Sequence, residues 1–334
     1  MRNKRFHSIL PAQRHVTACL CVIATLLTVA GCRRAEEVRF KRLEQLLFDT
    51  PANQLQQVLL QHRDEYDTEL IAFQPDDDGY ISMTKEFTSD PVIRDVYRVT
   101  DSLYHDLSDV ERELGKALAN AYRLCPQMRH VEGFYTMVTG DYDNYHYRVF
   151  SDCKDLCVAI DQYALGDLQR YNSFGMPNYL VSTFTREQIV PDCMRTLANL
   201  YTDKPEGERT LLDHMVFEGK IMCFVEKTMP WTDATTLLRY TDAQYDWMRK
   251  NEKNVWSWLI QNKMLYSTDQ AAFRNLVGDA PHTNAFGAES APRTTGYIGW
   301  QIVRSYLKHS GVPMQELLAD TDSQKILAES GWRP

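Results

Sequence analysis

The stretch 209–229, RTLLDHMVFEGKIMCFVEKTM, is apolar and periodic enough to be a central helix of a helical protein. With about 100° between successive residues, Leu211, Ile221, Met222 and Val225 gather on one side, and Asp213, Lys220 and Lys227 on the other. His214 and Glu218 fall on the apolar side. They are four residues apart, so their side chains can meet. A carboxylate facing a core must be paired or neutral, and the reading therefore expects Glu218 to be buried beside His214 or an arginine such as Arg195 or Arg304. Gly219 in mid-helix is unfavourable by up to about 1 kcal/mol, which suggests that another backbone comes close there. The structural alternative is an ion pair; the functional one is a polar site at the floor of a cleft.

Outward from this helix the chain is mostly helical. Pro51–Arg63 is periodic, with Pro51 read as the first helical residue. Residues 75–79 read as a turn whose aspartates lack the calcium-loop spacing. Asp90-Pro91 opens a helix to about Tyr104, and Ser108 with Glu111 has capping-box spacing ahead of a helix to Leu124. Then the texture changes. Segments 131–139, 145–151 and 156–163 are rich in β-branched and aromatic residues and are separated by turn residues, so they read as three strands of a meander. Val38–Phe48 could add an entering strand. Helices resume at about 192–201, 209–229, 241–262 and 297–309, with one or two short ones before Ser330-Gly331. The expected fold is α+β: a single, mostly helical domain over 51–334 with a small antiparallel sheet.

The chain has 334 residues, 44% hydrophobic and 25% charged, which excludes wholesale disorder and fibrous classes. Its net charge is −8. Residues 1–31 hold Arg2, Lys4, Arg5 and Arg14 and no acid, so the remainder is more acidic still; nothing resembles a phosphate-binding patch, and no nucleic-acid partner is expected. Those same 31 residues have the parts of an export signal: a basic start, an apolar run from Val16 to Ala30 and small residues at Ala30-Gly31. Val29-Ala30-Gly31-Cys32 resembles a bacterial lipobox. That resemblance implies cleavage before Cys32 and acylation of the new N-terminal cysteine, palmitate being the expected chain. The anchor then replaces a transmembrane helix. Residues 32–50 are expected to be the lipidated N-terminus and entry segment, and Glu36-Glu37 weakly resembles an export signal of surface lipoproteins. The expected location is the cell envelope, at the outer membrane, on either face. Cys125, Cys153, Cys157, Cys193 and Cys223 are read mainly as buried thiols, with a Cys153–Cys157 disulfide as the alternative.

A second marked segment, 291–313, sets glycine among aromatics at Gly296-Tyr297-Ile298-Gly299-Trp300. Tight helix packing explains it; alternatively Tyr297, Trp300 or Arg304 lines the same cleft as Glu218. Several segments taken together carry a family resemblance: Cys32, Val38-Arg39-Phe40, Ile189-Val190-Pro191-Asp192, Leu212-Asp213-His214-Met215, Glu218-Gly219-Lys220-Ile221, Gly299-Trp300-Gln301 and Ser330-Gly331-Trp332. The mature chain resembles the GldB family of gliding-motility lipoproteins of Bacteroidetes. That implies an envelope lipoprotein whose partners are envelope proteins, those of motility or secretion machinery included.

A more distant resemblance is to gluzincin-type zinc proteases, with Glu218-Gly219 in place of the second-helix glutamate; it implies a zincin-like scaffold. Where HExxH would stand, the chain reads Pro191-Asp192-Cys193-Met194-Arg195, and no two of its nine histidines are four apart. Zinc hydrolysis needs two imidazoles at that spacing and an open position for water. The expectation is thus a degenerate cleft of His214, Glu218, Asp192, Arg195, Tyr297, Trp300 and Arg304 with no metal or other cofactor and no catalytic residue. The alternative is a metal-dependent hydrolase with His214, Glu218 and Asp192 as ligands.

Overall fold

Apolar residues on nearly every side of 211–228 leave that helix no stable place but the interior, and there it lies. The computed structural model describes residues 35–334 except 165–170, 172 and 208. The export-signal reading of 1–31 and the lipidation of Cys32 therefore fall outside the described residues. In chain order the main elements are β1 (Phe40–Arg42), α1 (Leu43–Asp49), α2 (Leu55–Gln61), α3 (Asp78–Ser89), α4 (Pro91–Leu103), α5 (Ser108–Leu124), β2 (Gly133–Met137), β3 (Val149–Ser151) and β4 (Asp155–Ala159). There follow α6 (Ile189–Leu200), α7 (Leu211–Thr228), α8 (Ala234–Leu238), α9 (Asp242–Gln261), α10 (Gln270–Val277), α11 (Thr294–Ser310), α12 (Met314–Ala319) and α13 (Ser323–Glu329). Residues Ala35–Pro334 form one compact unit. The fold is α+β and mostly helical, as the periodicities imply.

The sheet has the order β1-β2-β4-β3. The expected antiparallel meander is corrected here. β1 pairs parallel with β2, β2 pairs parallel with β4, and only β3 and β4 run antiparallel. The reason is burial on both faces. Phe134, Leu156 and Val158 enter the main core, while Tyr135 and Cys157 between them enter a second core with Phe48, Leu55 and Tyr97. A strand covered on both sides reads as a continuous apolar run, and Leu156–Ala159 is such a run; alternation, the mark of a half-exposed meander, is absent there. β3 is then the short edge strand beside it, not the middle of a meander.

Local signals account for several helix starts. Asp90 Oδ1 accepts from the backbone N–H of Val92 and Ile93, with Pro91 at the first helical position, as expected. Asp77 caps α3 in the same way, so the acidic turn at 75–79 is a helix start. Two capping boxes start helices whose apolar pattern is plain in the sequence, Thr210 with Asp213 at α7 and Thr241 with Gln244 at α9. The Ser108–Glu111 box does not form. Glu111 instead accepts from the backbone N–H of Phe40 and from Arg39, 2.9 Å each, and so ties β1 to α5. Pro51 precedes its helix by four residues, with turns at 52–54 between. All five cysteines among the described residues are free thiols, and four are buried. Burial pushes the Cys125 thiol up to about 11, so it is inert.

The tightest packing is α7 across α11. A side chain on Gly219 would meet the carbonyl of Gly299, and one on Gly299 would meet the carbonyl of Met215. The close backbone approach inferred from Gly219 is thus real, and the glycine among aromatics at Gly299 is its counterpart.

Candidate functional site: an arginine-lined cleft

Where α6, the end of α8 and the start of α11 meet the 145–149 segment, four arginines from distant parts of the chain line adjoining openings. They are Arg148, Arg195, Arg239 and Arg293. The organising anion is Asp192, on the first turn of α6 and buried. Its Oδ2 accepts from Arg148 Nε at 2.8 Å and from Tyr163 Oη at 2.9 Å, and its Oδ1 accepts from Arg239. Burial alone would raise the Asp192 pKa; Arg148 and Arg239 outweigh it and hold the carboxyl at about 2. Arg148 is itself fixed over two rings, 5.3 Å from that of Tyr163 and 4.9 Å from that of Phe184.

Two of these arginines sit in left-handed backbone. Arg239 has φ 54° and Arg293 φ 46°, conformations that cost a non-glycine residue on the order of 1 kcal/mol or more. They end and begin helices: Arg239 follows α8 and Arg293 precedes α11. They are also tied together. Arg293 Nη2 donates to the carbonyls of Leu238 (2.8 Å) and Arg239 (3.3 Å), Arg293 Nη1 pairs with Asp279 at 3.2 Å, and Tyr240 Oη donates to the carbonyl of Pro292 at 2.6 Å. Arg195 donates to the carbonyl of Leu237. Burial, and then the neighbouring Arg239, lowers its pKa to about 10, with Glu218 and Asp192 opposing. Even so this leaves Arg195 charged at neutral pH.

The seven residues expected in one cleft are divided. Asp192, Arg195 and Glu218 share one opening, and Arg195, His214 and Glu218 share the next. Tyr297, Trp300 and Arg304 do not join them. Trp300 Nε1 donates to Glu226 at 3.2 Å, Arg304 stacks on Trp300 at 4.5 Å and pairs with Glu226 at 3.3 Å, and Tyr297 reaches Glu252 at 3.5 Å. These three belong to the far side of α11. Glu218 requires a correction: it is exposed, at the mouth of both openings, and makes no close pair with His214. The cause is that α11 presses on the Gly219 face, so the N-terminal half of α7 buries Leu212, Met215, Val216 and Gly219 and turns Glu218 outward. Lys220, expected on the solvated side, is buried and donates to the carbonyl of Asp320. The His214 ring packs against Phe273 at 5.4 Å; burial lowers its pKa, so it is neutral near pH 7.

Arg148, Arg239 and Arg293 escaped sequence reasoning. Each is an isolated arginine near a turn, and neither φ nor the convergence of 148, 192, 239 and 293 has a local signature. Zinc does not suit the candidate ligands: both oxygens of Asp192 are taken by arginines, and among the described residues no three of His, Cys, Asp or Glu are grouped as a metal would need.

Neither the curated proteins nor the solved structures contain a match to this chain, so the zincin-like likeness finds no support there. Among the described residues no helix is long and apolar enough to cross a membrane. The family described as gliding motility protein GldB matches residues 32–334, a span that includes the arginine cleft. By that match, which spans far more than half its length, the chain belongs to the gliding motility protein GldB family.

Proposed function

We propose that this protein is a non-catalytic envelope lipoprotein, held to the outer membrane by acyl chains on Cys32, that works by contact with other envelope proteins. The observation that carries the reading is the state of Asp192. A carboxylate locked between two arginines with a pKa near 2 can neither give nor take a proton at neutral pH, and its oxygens are already filled. The charged groups of the cleft hold one another in place, an arrangement suited to binding. Around its mouth stand Tyr147, 71% exposed, and Leu200, 42% exposed, an aromatic and an aliphatic side chain of the kind that anchors contacts.

The test is photo-crosslinking in living cells from a probe at position 147, with acyl labelling of the same chain. The reading expects an acylated protein that yields a discrete adduct with another envelope protein, and loss of both label and adduct in Cys32→Ala. A protein processed elsewhere and unacylated would sink the anchor. Zinc-dependent hydrolysis by the purified chain, abolished by chelator, would sink the non-catalytic part.

A further inference from the structure

The cleft holds a cavity of about 340 Å³, within the size range of small-molecule sites, which starts at about 300 Å³. Its wall includes Tyr145, Arg148, Gln188, Arg239, Asp279 and Arg293. Three features in and just behind this wall are left over once the contacts within the fold are made. First, Arg148 Nη1 and Arg239 Nε are buried donors without a partner, in side chains otherwise fixed by Asp192 and the Tyr163 and Phe184 rings. Leaving a buried donor unsatisfied is unfavourable, so such atoms are normally partnered. Second, Gln188 Oε1 is a buried acceptor without a partner. Its orientation is not free, because Gln188 Nε2 donates to the carbonyl of Thr236 at 2.9 Å. Third, three arginines stand against two carboxylates, Asp192 and Asp279, which leaves one positive charge uncompensated in a largely buried place.

Each feature selects a ligand property. One surplus charge suits a monoanion; a phosphate monoester, at nearly two negative charges, would leave the site negative beside Asp192 and Asp279. Fork-shaped guanidinium donors suit the planar oxygens of a carboxylate. The orphan acceptor on Gln188 calls for an O–H or N–H elsewhere on the same molecule. We propose that this cavity binds a small carboxylate-bearing ligand that also carries a hydroxyl or amide donor, with Arg148, Arg239 and Arg293 around the carboxylate and Gln188 on the donor. The two sources of that chemistry are a hydroxylated acid and the free end of a peptide chain. The inference stands apart from the contact-protein reading, since its probes are pure compounds and its readout involves no envelope partner.

Titration calorimetry of the full-length chain in detergent, at matched ionic strength, tests it with gluconate, triglycine, triglycine amide, acetate and inorganic phosphate. Saturable one-to-one binding is expected for gluconate or triglycine, weaker binding for acetate, and no more response to phosphate or triglycine amide than to chloride. Tighter gluconate assigns the site to a small acid, and tighter triglycine to a chain end. Arg148→Lys, which keeps the charge facing Asp192 but loses the fork, should weaken binding by about ten- to a hundred-fold. Should that variant fail to fold, Gln188→Met still decides: it should erase the advantage of gluconate or triglycine over acetate and leave acetate unchanged. The proposal is overturned by the absence of saturable binding to every carboxylate, by phosphate binding more tightly than they do, or by either folded variant binding like wild type.

Discussion

At residue scale the deciding contrast is between Asp192 and Glu218, two acids of one cleft with opposite fates. Asp192 is buried with both oxygens paired, so Asp192→Asn strands Arg148 and Arg239; it should cost about 3–5 kcal/mol in chemical denaturation. Because its folded pKa lies below the usual 3.8, Asp192 contributes stability that is present above pH 3.8 and is lost as pH falls through about 2. The variant should lack that acid limb. Glu218→Gln, at an exposed position, should change stability by no more than about 0.5 kcal/mol by the same assay. Lys220 gives a slope of the same sign at the other end of the pH scale, but here the charged form is the one that folding disfavours. Burial drops its pKa from 10.5 to about 8, against the pull of Asp320 and Asp203. Between those values the unfolded chain binds a proton that the folded chain does not, so stability rises with pH across that window, by up to about 3 kcal/mol. The difference between wild type and Lys220→Met, followed by thermal melts from pH 7 to pH 10, should show this rise in wild type alone.

At the scale of elements, the crossing of α7 and α11 depends on two glycines without side chains in the way. Alanine in mid-helix ordinarily gains up to about 1 kcal/mol over glycine. Gly219→Ala should go the other way, losing about 1–3 kcal/mol, because its new methyl would meet the Gly299 carbonyl, which belongs to a backbone that cannot rotate aside. Urea midpoints with unchanged slope would confirm it; a stabilised variant would mean the helices separate freely. The same scale explains why the sheet is not a meander. Strand type was legible in the β-branched and aromatic texture of 131–163, but strand direction depends on what covers the second face. That cover comes from α1 to α4, far upstream, whose Phe48, Leu55 and Tyr97 pack with Tyr135 and Cys157.

For the whole molecule, the anchor proposed at Cys32 and the folded body make separable demands. Cys32→Ala should leave the melting temperature of residues 35–334 unchanged, since they form a compact unit by themselves, while acyl labelling of the chain is lost. A matching loss of stability would show that the anchor supports the fold. The acidic surface and the arginine cleft also belong together at this scale. A chain of net charge −8 keeps four arginines in one place, where nearby carboxylates and rings hold them and the remaining charge stays unspent.

Periodicity, caps and composition by themselves determined the helical body, the place of the sheet and the central helix 211–228, because each is set by neighbours within a turn or two along the chain; the mid-helix glycine marked a close approach without naming its partner. The resemblance of scattered segments reached as far as the family. Tertiary structure alone decided strand direction, the outward turn of Glu218, the burial of Lys220 and the convergence of Arg148, Asp192, Arg239 and Arg293. These depend on which face of an element meets another element a hundred or so residues away. A wheel centred on Leu211 shows that α7 is apolar, but the carbonyl of Gly299 pressing on Gly219 is what selects the side that faces inward.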